Sequence, residues 1–395
     1  MIKKIFHVAA LLLLGCSSVV VMAAVGGGID GNISNTTMAT RVLLDLSTHP
    51  HARCLDGSVA GMYVRPGWGS GASVWNLFQE GGGSCHSLSD CAHRAQTSKG
   101  SSSSWPAAIE LVGRAGGVYF SPDPVLNPLL WNANVAYLIY CDGGAFSGDN
   151  FTAAATVTGL QFRGQAIIRA AIETLAATTT LSAATAVVIS GCSEGGVATF
   201  AHLDWMASLV RAAAPTVAKI AGLADSGYYP GDGSPYSHVP KQQFLYEAQN
   251  ASGCLSPSCL AANPKAPWGC VVAEVNHRFI QTPVFALQSI FDTNQLGTAG
   301  CKDASCAIPY MRWLNTSVVG FATAPGRATG AFVDMCSRHC NTNTVPLIDG
   351  YSSLGAFGEW FSGLPHDVSE GRRLWMQTTA VPFEPKAPYC AHCCL

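Results

Sequence analysis

Charge is what this 395-residue chain has least of. Asp, Glu, Lys and Arg make up 12% of it, against about a quarter in an ordinary globular protein. The formal net charge is -2, and no block of either sign stands out. Phosphate backbones are held by clustered Lys and Arg, so nucleic acid is excluded as a partner. A polybasic membrane patch is excluded for the same reason. The surface must draw its solubility from Ser, Thr, Asn and Gln, with sugars as a further source. Internal repeats are missing, and so is a GK[ST] or G-x-G-x-x-G phosphate loop. Beyond the N-terminus no run reaches the eighteen or so apolar residues of a membrane-spanning helix.

The N-terminus itself reads MIKKIFHVAALLLLGCSSVVVMAAVGGG. Lys3 and Lys4, an apolar core and the small residues Ala23 and Ala24 make a signal-peptide pattern, with cleavage expected near Ala24. An uncut anchor is the rival, weakened by Gly15, Cys16, Ser17 and Ser18 in the middle of the run; only then would the protein meet a membrane. A lipidated Cys16 is a minor variant. Export agrees with 16 cysteines, which in an oxidising compartment are mostly disulfides. The close pairs Cys85/Cys91, Cys254/Cys259, Cys301/Cys306 and Cys336/Cys340 suggest short loops, although neighbours need not pair. The odd count after Cys16 leaves a spare thiol, for which Cys192 is the candidate. The terminal CAHCC at 390–394 is too tightly spaced for an ordinary zinc ribbon. Sequons at Asn32, Asn35, Asn150, Asn250 and Asn315 are glycan candidates.

Apolar runs bounded by turn residues predict strands at 74–79, 134–140, 185–190, 217–224 and 283–289. Helical patterns lie at 162–177 and 194–214. Such alternation implies an α/β fold, a mostly parallel sheet with helices on both faces. Residues 226–282 carry Pro, Gly and Cys and read as a loop-rich cap or insertion over one end of the sheet. No composition break marks a second domain, so 1–24 is expected as signal peptide and 25–395 as one domain.

At 191–195 the chain reads Gly191-Cys192-Ser193-Glu194-Gly195 between a predicted strand and a predicted helix. G-x-S-x-G at that junction is the nucleophile turn of an α/β hydrolase, where small residues let the backbones cross. A solvated serine in a glycine turn is the bland alternative. A serine hydroxyl needs a histidine to accept its proton and an acid to orient that histidine, in the chain order Ser, acid, His. Asp292, after the second strand beyond the nucleophile, is the favoured acid; Asp225, after the first, is the other. Of the later histidines, His339 lies between Cys336 and Cys340, two anchors that would stiffen its loop. His366 and His392 have no such support, and His202 reads as an ordinary helix residue. FQEGGGSC at 78–85 places glycines just after a strand. There the N–H groups of Gly82 and Gly83, with that of Glu194, would form an oxyanion hole.

These stretches resemble the pectin acetylesterase/Notum family of secreted carboxylesterases. The shared landmarks are CLDGS at 54–58, FQEGGGSC with Cys91 beyond it, YCDGGAFSGD at 140–149, SGCSEGG at 190–196, LADSGYY at 223–229, QSIFDTNQ at 288–295 and CSRHCN at 336–341. The resemblance covers roughly residues 54–341. It implies an α/β hydrolase-like fold, no metal or organic cofactor, and a Ser193, Asp292, His339 triad with Gly82 and Gly83 in the oxyanion loop. Three departures stand out. Ser84 replaces a usual tryptophan, Glu194 replaces a usual alanine, and the chain beyond 345 carries none of the shared landmarks. The implied substrate is an acetylated polysaccharide such as pectin. An acylated protein, cleaved by a Notum-like deacylase, is the second possibility, and a hydrolase-fold binding protein without catalysis the third. Trp105, Phe146, Tyr228 and Tyr229 would line an acyl pocket or stack on sugars.

Overall fold

The computed structural model describes residues 37–114, 116–151, 159–231, 234–340, 347–364 and 371–377. The signal-peptide segment, Cys16, Asn32, Asn35, His366, His392 and the CAHCC tail lie outside the described residues. Strands β1 (Met38–Leu43), β2 (Gly61–Arg65), β3 (Val74–Gln79), β4 (Ala108–Glu110), β5 (Asn134–Leu138), β6 (Ala186–Cys192), β7 (Lys219–Asp225), β8 (Val284–Ser289), β9 (Thr329–Asp334) and β10 (Leu374–Met376) form one sheet. Its order is β10-β9-β8-β7-β6-β3-β5-β2-β1-β4. Pairings from β5 through β3 to β10 are parallel. β2, β1 and β4 add an antiparallel flank.

The five expected strands are the middle of this sheet, each within two residues of its reading. Every residue of β5, β8 and β9 is buried, which a parallel strand achieves only with cover on both faces. Register shows that cover. Phe285 of β8 pairs with Gly330 of β9, and on their side the rings of Phe357 and Trp360 pack against Phe285. One residue earlier, Val284 pairs with Gly222. A side chain at Gly222 would meet Leu203, on the opposite side.

The helices that matter to the site are α1 (Leu88–Arg94), α2 (Gly164–Thr178), α3 (Glu194–Ala213), α4 (Thr293–Thr298), α5 (Ala304–Ala322) and α6 (Ser353–Ser362). α2 buries Ile167, Ile168, Ala171, Ile172 and Leu175, a 3.6-residue stripe facing the core. α3 carries non-helical angles at His202, whose ring is buried and held neutral by desolvation, its pKa lowered to about 4. The expected cap is a string of short helices between β7 and β8. It has a small core of its own, in which Leu245, Leu255 and Val271 pack on Val197 and Ala201 of α3.

Cysteine pairing departs from the nearest-neighbour reading at two places. Cys85–Cys91 and Cys301–Cys306 do close short loops. Cys259 pairs with Cys270 instead of Cys254, which is the buried free thiol. Cys340 pairs with Cys192, not Cys336, so Cys192 is no spare. Strand ends that look cramped in sequence are open to a loop arriving from the far end of the chain. Cys54–Cys141 is a further long-range bridge. Among the sequons, Asn150 is buried and its Nδ2 donates to the Ala248 carbonyl at 2.5 Å, so it cannot carry a glycan. Asn250 is exposed.

Candidate active site

Ser193 stands where β6 becomes α3, with φ 61° and ψ -122°. Such a backbone costs a non-glycine residue on the order of 1–3 kcal/mol and persists only where surroundings impose it. They do so here. The Ser193 N–H donates to the Asp225 carbonyl at 2.9 Å. A Cβ on Gly191 would lie 2.3 Å from the Gly195 oxygen, and one on Gly195 would lie 2.0 Å from the Gln79 oxygen. Both outer positions of G-x-S-x-G are therefore closed to any side chain.

Asp292 is the residue before α4. Its Oδ1 accepts the N–H groups of Asn294 and Gln295 at 3.0 and 2.9 Å, an N-cap that fixes the carboxylate. The side chain is fully buried. His339 Nδ1 lies 2.8 Å from Asp292 Oδ1 and 2.9 Å from Oδ2, and its Nε2 lies 2.7 Å from Ser193 Oγ. An Nδ1–H donated to the acid leaves Nε2 as the acceptor for the serine proton. The structure thus brings Ser193, Asp292 and His339 together. Asp225 stands elsewhere: its carboxylate takes the Ser226 hydroxyl at 3.0 Å, and Ser226 Oγ accepts the Cys340 N–H at 2.9 Å.

Burial works against charge on His339, but the hydrogen bond and charge of Asp292, helped by Asp225 and Glu194, outweigh it. The imidazole pKa therefore stands above its ordinary 6.5. The loop carrying the ring is tied down on both sides. The Cys336 N–H donates to Asp334 Oδ1 at 2.9 Å, and Arg338 Nη2 meets Asp334 Oδ2 at 2.5 Å. Cys340 is bonded to Cys192, the residue before Ser193.

The glycine loop after β3 lies against the serine. A Cβ on Gly81 would sit 2.4 Å from the Cys192 oxygen and 2.9 Å from Ser193 Cβ. Gly82 and Gly83 have φ of 155° and 65°. Glu194, as the first residue of α3, has an N–H without an intrahelical acceptor. The loop's end is stapled by Cys85–Cys91, and the Cys85 N–H donates to the Gly143 carbonyl at 3.0 Å. That contact gives YCDGGAFSGD a structural task.

The chain matches the pectinacetylesterase family over residues 33–362. It belongs to that family. It is 29% identical to pectin acetylesterase 5 of Arabidopsis thaliana over 360 residues, covering 83% of this chain and 82% of that one. It is 28% identical to the palmitoleoyl-protein carboxylesterase NOTUM of Homo sapiens over 265 residues, covering 64% of this chain and 51% of that one. The solved structure of the Wnt deacylase Notum from Drosophila superposes with a TM-score of 0.72 at 23% identity, covering 86% of this chain and 98% of that one. Membership makes the protein a carboxylic ester hydrolase on an α/β hydrolase-like fold.

In this family member the first turn of α3 borders a cavity of about 40 Å³, lined by Glu194, Val197, Tyr229, Lys241, Leu245 and Thr298 among others. Lys241 Nζ meets Glu194 Oε2 at 3.1 Å, with the Glu194 side chain 4% exposed. Of the four aromatic candidates, Tyr229 reaches this cavity, while Phe146 and Tyr228 are buried in the core and so is Trp105, whose Nε1 donates to the Ser98 carbonyl at 3.3 Å. Sequence reasoning missed Arg94, Lys99, Lys241, Asp334 and Arg338. Single charges in loops carry no periodic signal, and only the fold shows which backbone they reach.

Proposed function

We propose that this protein is an exported serine esterase that removes O-acetyl groups from an acetylated polysaccharide such as pectin. Cleavage of residues 1–24 and a single catalytic domain over 25–395 belong to the same reading. The observation that carries it is the 2.7 Å contact of His339 Nε2 with Ser193 Oγ, backed by Asp292 on Nδ1. Ser193 Oγ attacks the acetyl carbonyl carbon while its proton passes to His339 Nε2. The charge on the carbonyl oxygen is taken by the N–H groups of Gly82, Gly83 and Glu194. Collapse expels the sugar oxygen, which leaves with the proton from His339. Water, deprotonated by the same ring, then cleaves acetyl-Ser193 to acetate.

The small cavity supports a short acyl group. Its volume holds about three water molecules, although its lining is mainly apolar, from Val197, Tyr229, Leu245, Val271 and Val272, with the Glu194–Lys241 pair as its charged edge. The decisive measurement is hydrolysis of p-nitrophenyl esters of rising chain length by the protein and by Ser193→Ala. The expected result is serine-dependent activity greatest on acetate, followed by acetate release from acetylated pectin. A maximum at eight carbons or more would replace the polysaccharide substrate with a long-chain acyl protein. Equal rates for the two proteins would end the assignment of Ser193.

A further inference from the structure

Two cations reach the carbonyl groups of the glycine loop. Lys99 Nζ donates to the Gly81 carbonyl at 3.1 Å and pairs with Glu80 Oε1 at 2.7 Å. Arg94 Nη1 donates to the Gly82 carbonyl at 2.9 Å. In a planar trans peptide the C=O of one residue and the N–H of the next point in opposite directions. A donor that fixes the Gly81 carbonyl therefore fixes the Gly82 N–H, and one that fixes the Gly82 carbonyl fixes the Gly83 N–H. Among the described residues no acceptor takes either N–H.

We propose that Arg94 and Lys99 are positioning residues that hold the two oxyanion-binding peptides in their working orientation. Both glycines have positive φ, so their own backbone preferences would let the peptides rotate. The pins are themselves held. The Thr97 N–H donates to the Arg94 carbonyl at 2.9 Å and the Gly100 N–H to the Thr97 carbonyl at 3.0 Å. A Cβ on Gly100 would come within 2.4 Å of the Arg94 oxygen, so the turn from Arg94 to Gly100 is tight and presents both cations to one loop. Glu80 receives the Tyr140 N–H at 3.0 Å on its other oxygen, which anchors the Lys99 pair to the strand side.

An oxyanion forms only after attack, so misdirected N–H groups should slow turnover without weakening substrate binding. The inference rests on Ser193 being the nucleophile, and Ser193→Ala reports on that separately. The experiment compares wild type, Arg94→Met, Arg94→Lys and Lys99→Met on p-nitrophenyl acetate, with Tm as a check on folding. The expected result is a kcat lower by about tenfold to a hundredfold in each Met variant, less than the roughly hundredfold to thousandfold cost of losing a donor outright, because the N–H is loosened rather than removed. KM should stay within about twofold, and Arg94→Lys should recover part of the rate by making one of the lost bonds. Fluorophosphonate labelling, which also builds up charge on an oxygen in the hole, should slow in parallel. If Lys99→Met fails to fold, Glu80→Gln with Lys99→Met removes the unpaired carboxylate and carries the same expectation. A folded Arg94→Met with wild-type kcat, or a loss found wholly in KM, would overturn the inference. So would full activity in Ser193→Ala, because no hole at Ser193 would then be in use.

Discussion

The two loops that flank Ser193 are held in opposite ways. The histidine loop, 335–340, is fixed by a covalent bond to β6 and by the buried Asp334–Arg338 pair, whose side chains are 2% and 11% exposed. The glycine loop, 80–85, is fixed on its carbonyls by Lys99, 33% exposed, and by half-buried Arg94. Removing one partner of a buried pair, or a covalent tie, is costly, whereas removing a contact of a part-exposed cation costs little. One loop therefore has its geometry built into the folding of the protein. The other can lose its orientation while the fold survives. The histidine must be placed before any substrate arrives, and displacing it means opening the core. The glycine loop only has to point two N–H groups, and modest forces suffice for that.

The contrast is broken most severely at Asp334. Asp334→Ala leaves Arg338 without its buried anion and frees the Cys336 N–H; the expected loss is about 3–5 kcal/mol, read by urea unfolding. Arg94→Met should cost at most about 1 kcal/mol in the same assay. Equal losses for the two would erase the distinction between the loops. Next comes the double change Cys192→Ala with Cys340→Ala, expected to remove about 2–4 kcal/mol and to lower kcat more than KM. A variant that melts at the wild-type temperature would show that Asp334 alone holds the loop. The smallest effect concerns pH. His339 must be neutral to act as base, and its raised pKa means that kcat/KM falls as pH drops through a value above 6.5. Glu194→Gln removes one of the anions that favour the imidazolium, so the acid limb should move to lower pH. An acid limb that stays put or rises would show that Glu194 does not act on His339.

How far the sequence could be read follows the same division. Ser193 and Asp292 sit at ends of buried strands, where apolar runs, glycines and an N-cap aspartate are local signals. The central strands β3, β5, β6, β7 and β8 were legible for that reason. His339 could be singled out through its neighbouring cysteines, although the partner of Cys340 lies 148 residues away, beyond any local rule. β1 is half-covered and β4 has three residues, while β2 is mostly buried but offers only Met62, Tyr63 and Val64 between Gly61 and Arg65. α5 and α6 went unread because neither carries a motif, and α5 holds Pro309 within it. The pins on the glycine loop were invisible: Arg94 and Lys99 look like ordinary polar residues until the turn between them is folded. Glu194 was noticed as a departure, but its ion pair with Lys241 depends on where the cap lies.

The Cys192–Cys340 bond closes a ring that contains Ser193, Asp292 and His339 together with the whole cap. A protease that cuts once in the cap, between 226 and 282, severs the serine from the acid and the histidine along the chain without releasing either piece. The nicked protein would run as one band on a non-reducing gel and as two after reduction. A single cut is then a scar rather than an end.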